Sequence, residues 1–178
     1  MSARVRALSR DGRHRFSKEG TGEIRVLAGL GVEGDAHCGA TVKHRSRVRQ
    51  DPSQPNLRQV HLLPGEILDG LNAEGFDLGP GLLGENVLTE GVDLHALPCG
   101  TLLRVGEVLL ALTGLRNPCS QIEKFRPGLL ARVLERRPEG LVRRAGVMSV
   151  VLEGGAIRTG DAIVSVLPPL PHHPLERV

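Results

Sequence analysis

The chain is 178 residues long, and its 23 Lys and Arg against 20 Asp and Glu leave a net charge of +3 and a pI near 9.1. That length buries a core as one domain without disulfide or metal staples. The charge surplus is too mild to announce nucleic-acid binding and suits small anions such as phosphates, and three Phe with no Trp or Tyr leave almost nothing from which to build a base-stacking platform.

Val, Leu and Ile must therefore fill the core. The 23 Gly and 12 Pro break the chain into short pieces, most of which alternate or run apolar as strands do. In chain order, strands are predicted over residues 5–8, over 23–28 with Ile24, Val26 and Ala28 on one face, and over 59–63. A helix follows over 64–75: Pro64 fits its first turn, Ile67, Leu68 and Leu71 make one stripe, and Gly75 stops it. Three more strands cover 85–89, 101–105 and 107–113. A second helix over 127–137 carries Leu129, Leu130, Val133 and Leu134 on one face and a basic last turn. Strands over 146–152 and 161–166 complete the set. Hairpin turns and Gly-bearing bulges at 105–107 and 153–161 make this a mainly β fold, a closed or nearly closed barrel with a few peripheral helices. The domain is predicted over 1–167. The tail 168–178 has too many prolines for regular structure and either drapes over the surface or mediates assembly.

Three cysteines without a C-x-x-C pair suggest neither a disulfide framework nor a zinc ribbon, and fit a reducing cytoplasm. The N-terminus lacks an apolar signal core, and no segment approaches the roughly 18 apolar residues of a membrane span. A soluble, cytoplasmic protein is expected, with no nucleic-acid or membrane partner.

Polar residues gather at the ends of the predicted strands. "GVEGDAHCG" holds Asp35, His37 and Cys38 between glycines, either as a capped turn with a satisfied histidine or as a loop whose backbone approaches a ligand. With His44 and His61 it offers zinc-type ligands, but at no standard zinc spacing. In "VKHRSRVRQ", Lys43, Arg45, Arg47 and Arg49 share one face if extended, which makes either a solvated edge or a guanidinium cluster for phosphate. Arg58, Gln59 and His61 stand at the entrance to a buried strand. Glu85 and Asn86 follow a glycine; Asn86 either converges on a pocket or bonds local backbone.

In "TGLRNPCSQI", Cys119 differs from the other cysteines. Arg116 is close in sequence and Pro118 stiffens the approach, so a thiolate there can be stabilised electrostatically. The alternative is a buried thiol acting as a small hydrophobe.

Through "GLGVEGDAHCG", "RQVHLL", "GLLGENVLTEGVDLHALPCGTLLRVGEVLLALTGLRNPCSQI" and "AGVMSVVLEGGAIRTGDAIVSV", nearly the whole chain resembles the MOSC domain, named after the C-terminal domain of molybdenum cofactor sulfurases. The resemblance implies a β-barrel-like fold and a role in molybdenum-cofactor or sulfur metabolism. It also implies a characteristic cysteine, matching Cys119, that carries sulfur as a persulfide in some members and ligates molybdenum in others. Nothing resembles the pyridoxal-phosphate desulfurase domain of the sulfurases, so sulfur handling here is expected to be pyridoxal phosphate-independent. No ferredoxin-like domain or extra N-terminal barrel is recognised either. The expected ligand is a phosphorylated pterin, the molybdenum cofactor (molybdopterin), bound by Asp35, His37, Arg45, Arg47, Arg58, His61, Glu85, Asn86 and Arg116. Cys119 is the expected catalytic residue and molybdenum ligand, with a cysteine desulfurase as sulfur donor or a molybdoenzyme as partner. Two other readings are a Mo-dependent reductase of N-hydroxylated compounds, needing partner electrons, and a non-catalytic anion-binding module.

Overall fold

A computed structural model describes residues 2–178. Its elements in chain order are β1 (Arg4–Arg10), β2 (Glu19–Thr21), β3 (Glu23–Leu27), β4 (Gly31–Val32), α1 (Arg45–Gln50), β5 (Val60–Pro64), α2 (Gly65–Ala73) and β6 (Val87–Glu90). After a 3-10 turn at Leu94–Ala96 come β7 (Leu102–Val105), β8 (Val108–Leu115), α3 (Ser120–Phe125), α4 (Leu129–Val133), β9 (Leu134–Arg137), β10 (Gly140–Arg143), β11 (Val147–Glu153), β12 (Gly155–Arg158) and β13 (Ile163–Val166). The fold is mainly β, as expected. Among the described residues no helix is long and apolar enough to cross a membrane.

Eight strands form one sheet in the order β13-β7-β8-β11-β5-β6-β1-β2, and β12-β3-β4 form a second. All pairings are antiparallel except β5 with β6. The large sheet does not close into a barrel, which corrects the closed form of the expected architecture. Its ends approach at a bridge between Arg4 and Ala162, where Val5 N–H donates to the Asp161 carbonyl at 2.8 Å. Closure stops there because β2 takes the rest of that edge of β1, pairing with Leu8, Ser9 and Arg10.

Aliphatic alternation places the core. β8 buries every second residue, from Val108 through Leu110 and Leu112 to Gly114, and these side chains join Val5, Ile24, Val26, Leu103 and Val147. β5 is buried along its whole length: Leu62 enters this core, while Leu63 enters a second one with Leu68 and Leu71 of α2, Ile122 of α3 and Leu129 of α4. Each such side chain contributes about 1.5–3 kcal/mol by leaving water. The α2 stripe therefore behaves as its periodicity predicts, although Pro64 ends β5 and caps the helix rather than entering it.

Three local expectations fail for identifiable reasons. Residues 127–137 are not one helix: α4 ends at Val133, and Leu134–Arg137 pair with Gly140–Arg143 across a turn at Pro138 and Glu139. The short turn at Pro138 and Glu139 rewards strand pairing of these exposed residues. Arg45, Arg47 and Arg49 lie on the helix α1, where residues two apart point in opposed directions and residues four apart share a face, so Arg47 is turned away from Arg45 and Arg49 and the three do not share one face. Ala28 lies beyond the end of β3 and is exposed.

The C-terminal tail is docked. Leu175 is buried in the main core, Leu115 N–H donates to the Glu176 carbonyl at 2.7 Å, and Cys99 N–H to the His173 carbonyl at 2.8 Å. Gly114 makes this possible: a Cβ there would lie 2.5 Å from the Glu176 carbonyl oxygen.

Candidate functional site

A cleft opens at the N-terminal ends of β5 and β6. Its walls come from the loop after β4 (His37, Lys43, His44), the approach to β5 (Asn56, Arg58, His61), the turn before β6 (Gly84, Asn86), the segment after β8 (Arg116, Asn117, Cys119) and the early loop Arg15, Phe16 and Lys18. The enclosed part measures about 100 Å³. That is below the roughly 300 Å³ of a typical small-molecule pocket.

Asp35 builds the floor. Its side chain accepts from Lys18 Nζ at 2.7 Å, Asn86 Nδ2 at 3.1 Å, His37 N at 3.0 Å and Asp11 N at 3.3 Å. Burial alone would raise its pKa, but the His37 contacts and the Lys18 ammonium outweigh it and hold the carboxyl well below the usual carboxylate range. Asn86 continues the network: its Oδ1 accepts from His61 N at 3.1 Å, and its Nδ2 also reaches the Ser9 carbonyl at 3.2 Å. Asn56 ties the His37 and Gly39 carbonyls, each at 2.9 Å, to the Arg58 amide. These polar side chains thus shape the loops that carry the charges.

The charges themselves are unbalanced. Burial lowers the Arg58 pKa to about 10, and repulsion from Arg116 and Arg47 adds to it, with only Cys119 opposing; no carboxylate acts on it. Arg116 is lowered by burial as well, opposed by Cys119 and Glu85. Its guanidinium donates to the Leu83 carbonyl and lies 5.7 Å from the centre of the Phe16 ring. Glu85 acts on Arg116 from the interior, but neither guanidinium makes an ion pair among the described residues, and two such groups lining one cleft favour an anion there.

Cys119 stands beside this pair, partly exposed, directly before α3. The one hydrogen bond of its thiol among the described residues is to Gln121 Oε1 at 3.8 Å. Asn117, next to it, is held by Arg143 Nε at 3.1 Å. The thiol is thus accessible and lines the same cleft as Arg58 and Arg116.

The histidines divide into two kinds. His61 is 6% exposed, burial drives its pKa well below the ordinary value, and its Nε2 lies 2.8 Å from the Ala145 carbonyl. A carbonyl can only accept, so Nε2 carries the proton and the ring is neutral. Gly146 fits under it at φ 103, where a Cβ would lie 2.4 Å from Nε2. His37, His14 and His44 cluster at the opening, with His37 5.5 Å from His14 and 6.5 Å from His44 between ring centres. Burial, then Arg58 and other cations, lowers His44 to about 4.

The structure brings His37, Arg58, His61, Asn86, Arg116 and Cys119 to one cleft. Asp35 lies beneath it. Arg45 lines a shallow recess next to it with His14 and Gln121, and Arg47 lines neither. Glu85 faces the interior at 1% exposure, where burial raises its pKa and Gly81 N–H donates to it at 2.5 Å. The zinc-type ligands do not assemble: among the described residues no group of three or more His, Cys, Asp or Glu is placed to hold a metal ion. Sequence reasoning missed Lys18, Phe16, Asn56 and Asn117. Only Asn56 carried a signal, as a turn-forming residue beside Pro55.

Fold and cleft together define a mainly β domain that presents a thiol and two guanidinium groups without an ion-pair partner among the described residues at one sheet end. Residues 34–164 match the model of the MOSC domain, and the chain belongs to that family, which is linked to molybdenum-cofactor binding. Among solved structures it is similar to the YuaD protein of Bacillus subtilis, at 25% identity and a TM-score of 0.73, covering 92% of this chain and 94% of that one. It also shares its fold with YiiM from Geobacillus stearothermophilus, at 14% identity and a TM-score of 0.64 over 97% of this chain and 79% of that one. YiiM from Escherichia coli gives 19% identity and a TM-score of 0.60 over 96% and 73%. No curated protein matches the chain in sequence.

Proposed function

We propose that the protein binds molybdenum cofactor in this cleft and uses Cys119 as its reactive thiol, either as a metal ligand or as a sulfur carrier. The observation that carries this is that Arg58 and Arg116, neither in an ion pair among the described residues, line one cleft together with an accessible cysteine. The residues fit such a ligand: the guanidinium pair suits a phosphate or oxo group, the thiolate suits a soft metal, and the small enclosed volume suits one end of a larger molecule. Arg58 and Arg116 would hold the anionic end, with Asn117 and Gln121 offering polar contacts nearby. When bound, the cofactor supplies a molybdenum centre that Cys119 can ligate.

In the sulfur-carrying role, the Cys119 thiolate attacks the outer sulfur of a persulfide on a donor such as a cysteine desulfurase. A bond forms between Sγ and that sulfur, the donor S–S bond breaks, and the donor departs as a thiolate. The transfer has no net oxidation and needs no pyridoxal phosphate on this chain. Arg58 and Arg116, which line the same cleft, would stand beside the anionic persulfide that forms.

The deciding experiment is metal and pterin analysis of the protein purified from cofactor-producing cells, with the Cys119→Ser and Arg58→Ala variants alongside. Loading of wild type with molybdenum and pterin, and its loss in Arg58→Ala, is expected. A wild-type protein that carries neither molybdenum, pterin nor transferable sulfur rejects the reading.

A further inference from the structure

A second, larger recess lies at the other end of the same strand pair. It is a groove of about 700 Å³ between α2, the segment that follows β6, α4 and the end of β10. Pro64, which lines it, stands three residues along β5 from His61 of the cleft, and Gly91 directly follows β6. Its floor is apolar, from Ile67, Leu71 and Val92. The acids on its walls are already engaged: Glu66 accepts from Gly91 N at 2.7 Å, Glu74 pairs with Arg132 at 2.8 Å, and Asp93 caps the 3-10 turn through His95 N and Ala96 N.

Two polar groups on those walls, the His95 imidazole and the Arg144 guanidinium, are not engaged. His95 Nε2 is shielded from solvent without a hydrogen-bond partner among the described residues, a state that costs free energy until it is satisfied. Arg144 acts through its charge on His95 and on Glu135, but its exposed side chain makes no ion pair with either among the described residues, Glu135 being paired with Arg137. An apolar floor of this size with a free guanidinium and an unsatisfied imidazole at one wall has the make-up of a small-molecule site.

We propose that this groove is a second ligand site, separate from the thiol cleft, for a small amphipathic carboxylate whose headgroup meets Arg144 and His95 and whose apolar part lies on Ile67, Leu71 and Val92. It does not depend on the function proposed for the cleft. The engaged acids explain why the headgroup goes to that wall: Arg144 is the cation there left to answer a carboxylate, and Arg–carboxylate contacts are charge-assisted and directional.

Octanoate serves as the probe, titrated into the 15N-labelled full chain, with 1-octanol as the neutral counterpart. Saturable shifts are expected at the amides of Gly70, Gly91, Val92 and Arg144, with those of Arg116 and Cys119 unmoved. Octanol is expected to bind at least tenfold more weakly, and Arg144→Gln, an exposed position that folding tolerates, to weaken octanoate about tenfold. His95→Gln, which keeps a donor, is expected to weaken it less than His95→Leu. The proposal is overturned if octanoate gives no saturable shifts in the groove, if octanol binds equally well, or if Arg144→Gln binds octanoate as wild type does.

Discussion

Lys18 and Asp35 form an ion pair at 2.7 Å with side chains only 5% and 2% exposed. A buried pair of this kind contributes little against an apolar alternative, but removing one partner strands the other. Asp35→Ala is therefore expected to lower stability by about 3–5 kcal/mol in urea unfolding and to loosen the loop that carries His37.

The same carboxylate sets an acid limit. Its folded pKa lies below the unfolded value near 3.8, so the unfolded state binds the proton more readily and the stabilisation is fully present above that pH. It is lost as pH falls below it. Thermal melts of wild type should drop more steeply below pH 4 than those of Asp35→Asn, which has no such proton to gain; parallel profiles would remove Asp35 as the cause.

Gly146 is the glycine on which the cleft wall depends. At φ 103 its Cβ position is 2.4 Å from His61 Nε2 and 2.5 Å from the Leu62 carbonyl. Gly146→Ala must both strain the backbone and displace His61 from Ala145, so a loss of about 2–4 kcal/mol is expected. A variant as stable as wild type, with the His61 ring resonances unchanged, would contradict that account.

The strands were legible because one-sided burial imposes alternation, as along Val108, Leu110 and Leu112. Arg45, Arg47 and Arg49 misled because α1 buries none of its residues, and without burial no periodicity distinguishes helix from strand. The helix expected over 127–137 was right where Leu129 and Val133 meet the core, and wrong where exposed residues were free to pair as a hairpin. In the cleft, Cys119 and Arg116 stood out because they are neighbours in the chain. Lys18 did not, since its partner Asp35 is 17 residues away and only the folded chain brings them together. Nor could sequence show whether the large sheet closes, because that turns on β2 occupying the edge of β1.

Anion binding should follow the guanidinium pair. Arg58→Ala and Arg116→Ala are each expected to weaken molybdate or phosphate binding at least tenfold, consistent with the roughly 1.5–3 kcal/mol of a charged hydrogen bond. Arg47→Ala, which acts only through its field, should change it by less than threefold at 0.15 M salt, where charges are screened beyond about 8 Å. Calorimetric titration separates them, and equal losses at all three positions would point to a diffuse basic surface instead.

The three cysteines should react in a definite order. Burial, together with the carboxylates of Asp35 and Glu33, raises Cys38, which leaves little thiolate near neutral pH. Cys99 packs against the main core, and its thiol points at the Thr113 carbonyl at 3.4 Å, which restricts access. Cys119 is partly exposed in the cleft with Arg58 and Arg116 beside it. At pH 7, labelling of single Cys→Ser variants should therefore lose its fast phase only in Cys119→Ser, and saturating phosphate should slow that phase by occupying the guanidinium pair. Cys119→Ser should still bind phosphate within about twofold of wild type, because the arginines hold the anion, while losing transferable sulfur or bound molybdenum. If Cys38 or Cys99 labels faster, or phosphate leaves the Cys119 rate unchanged, the thiol and the anion site are not one functional unit.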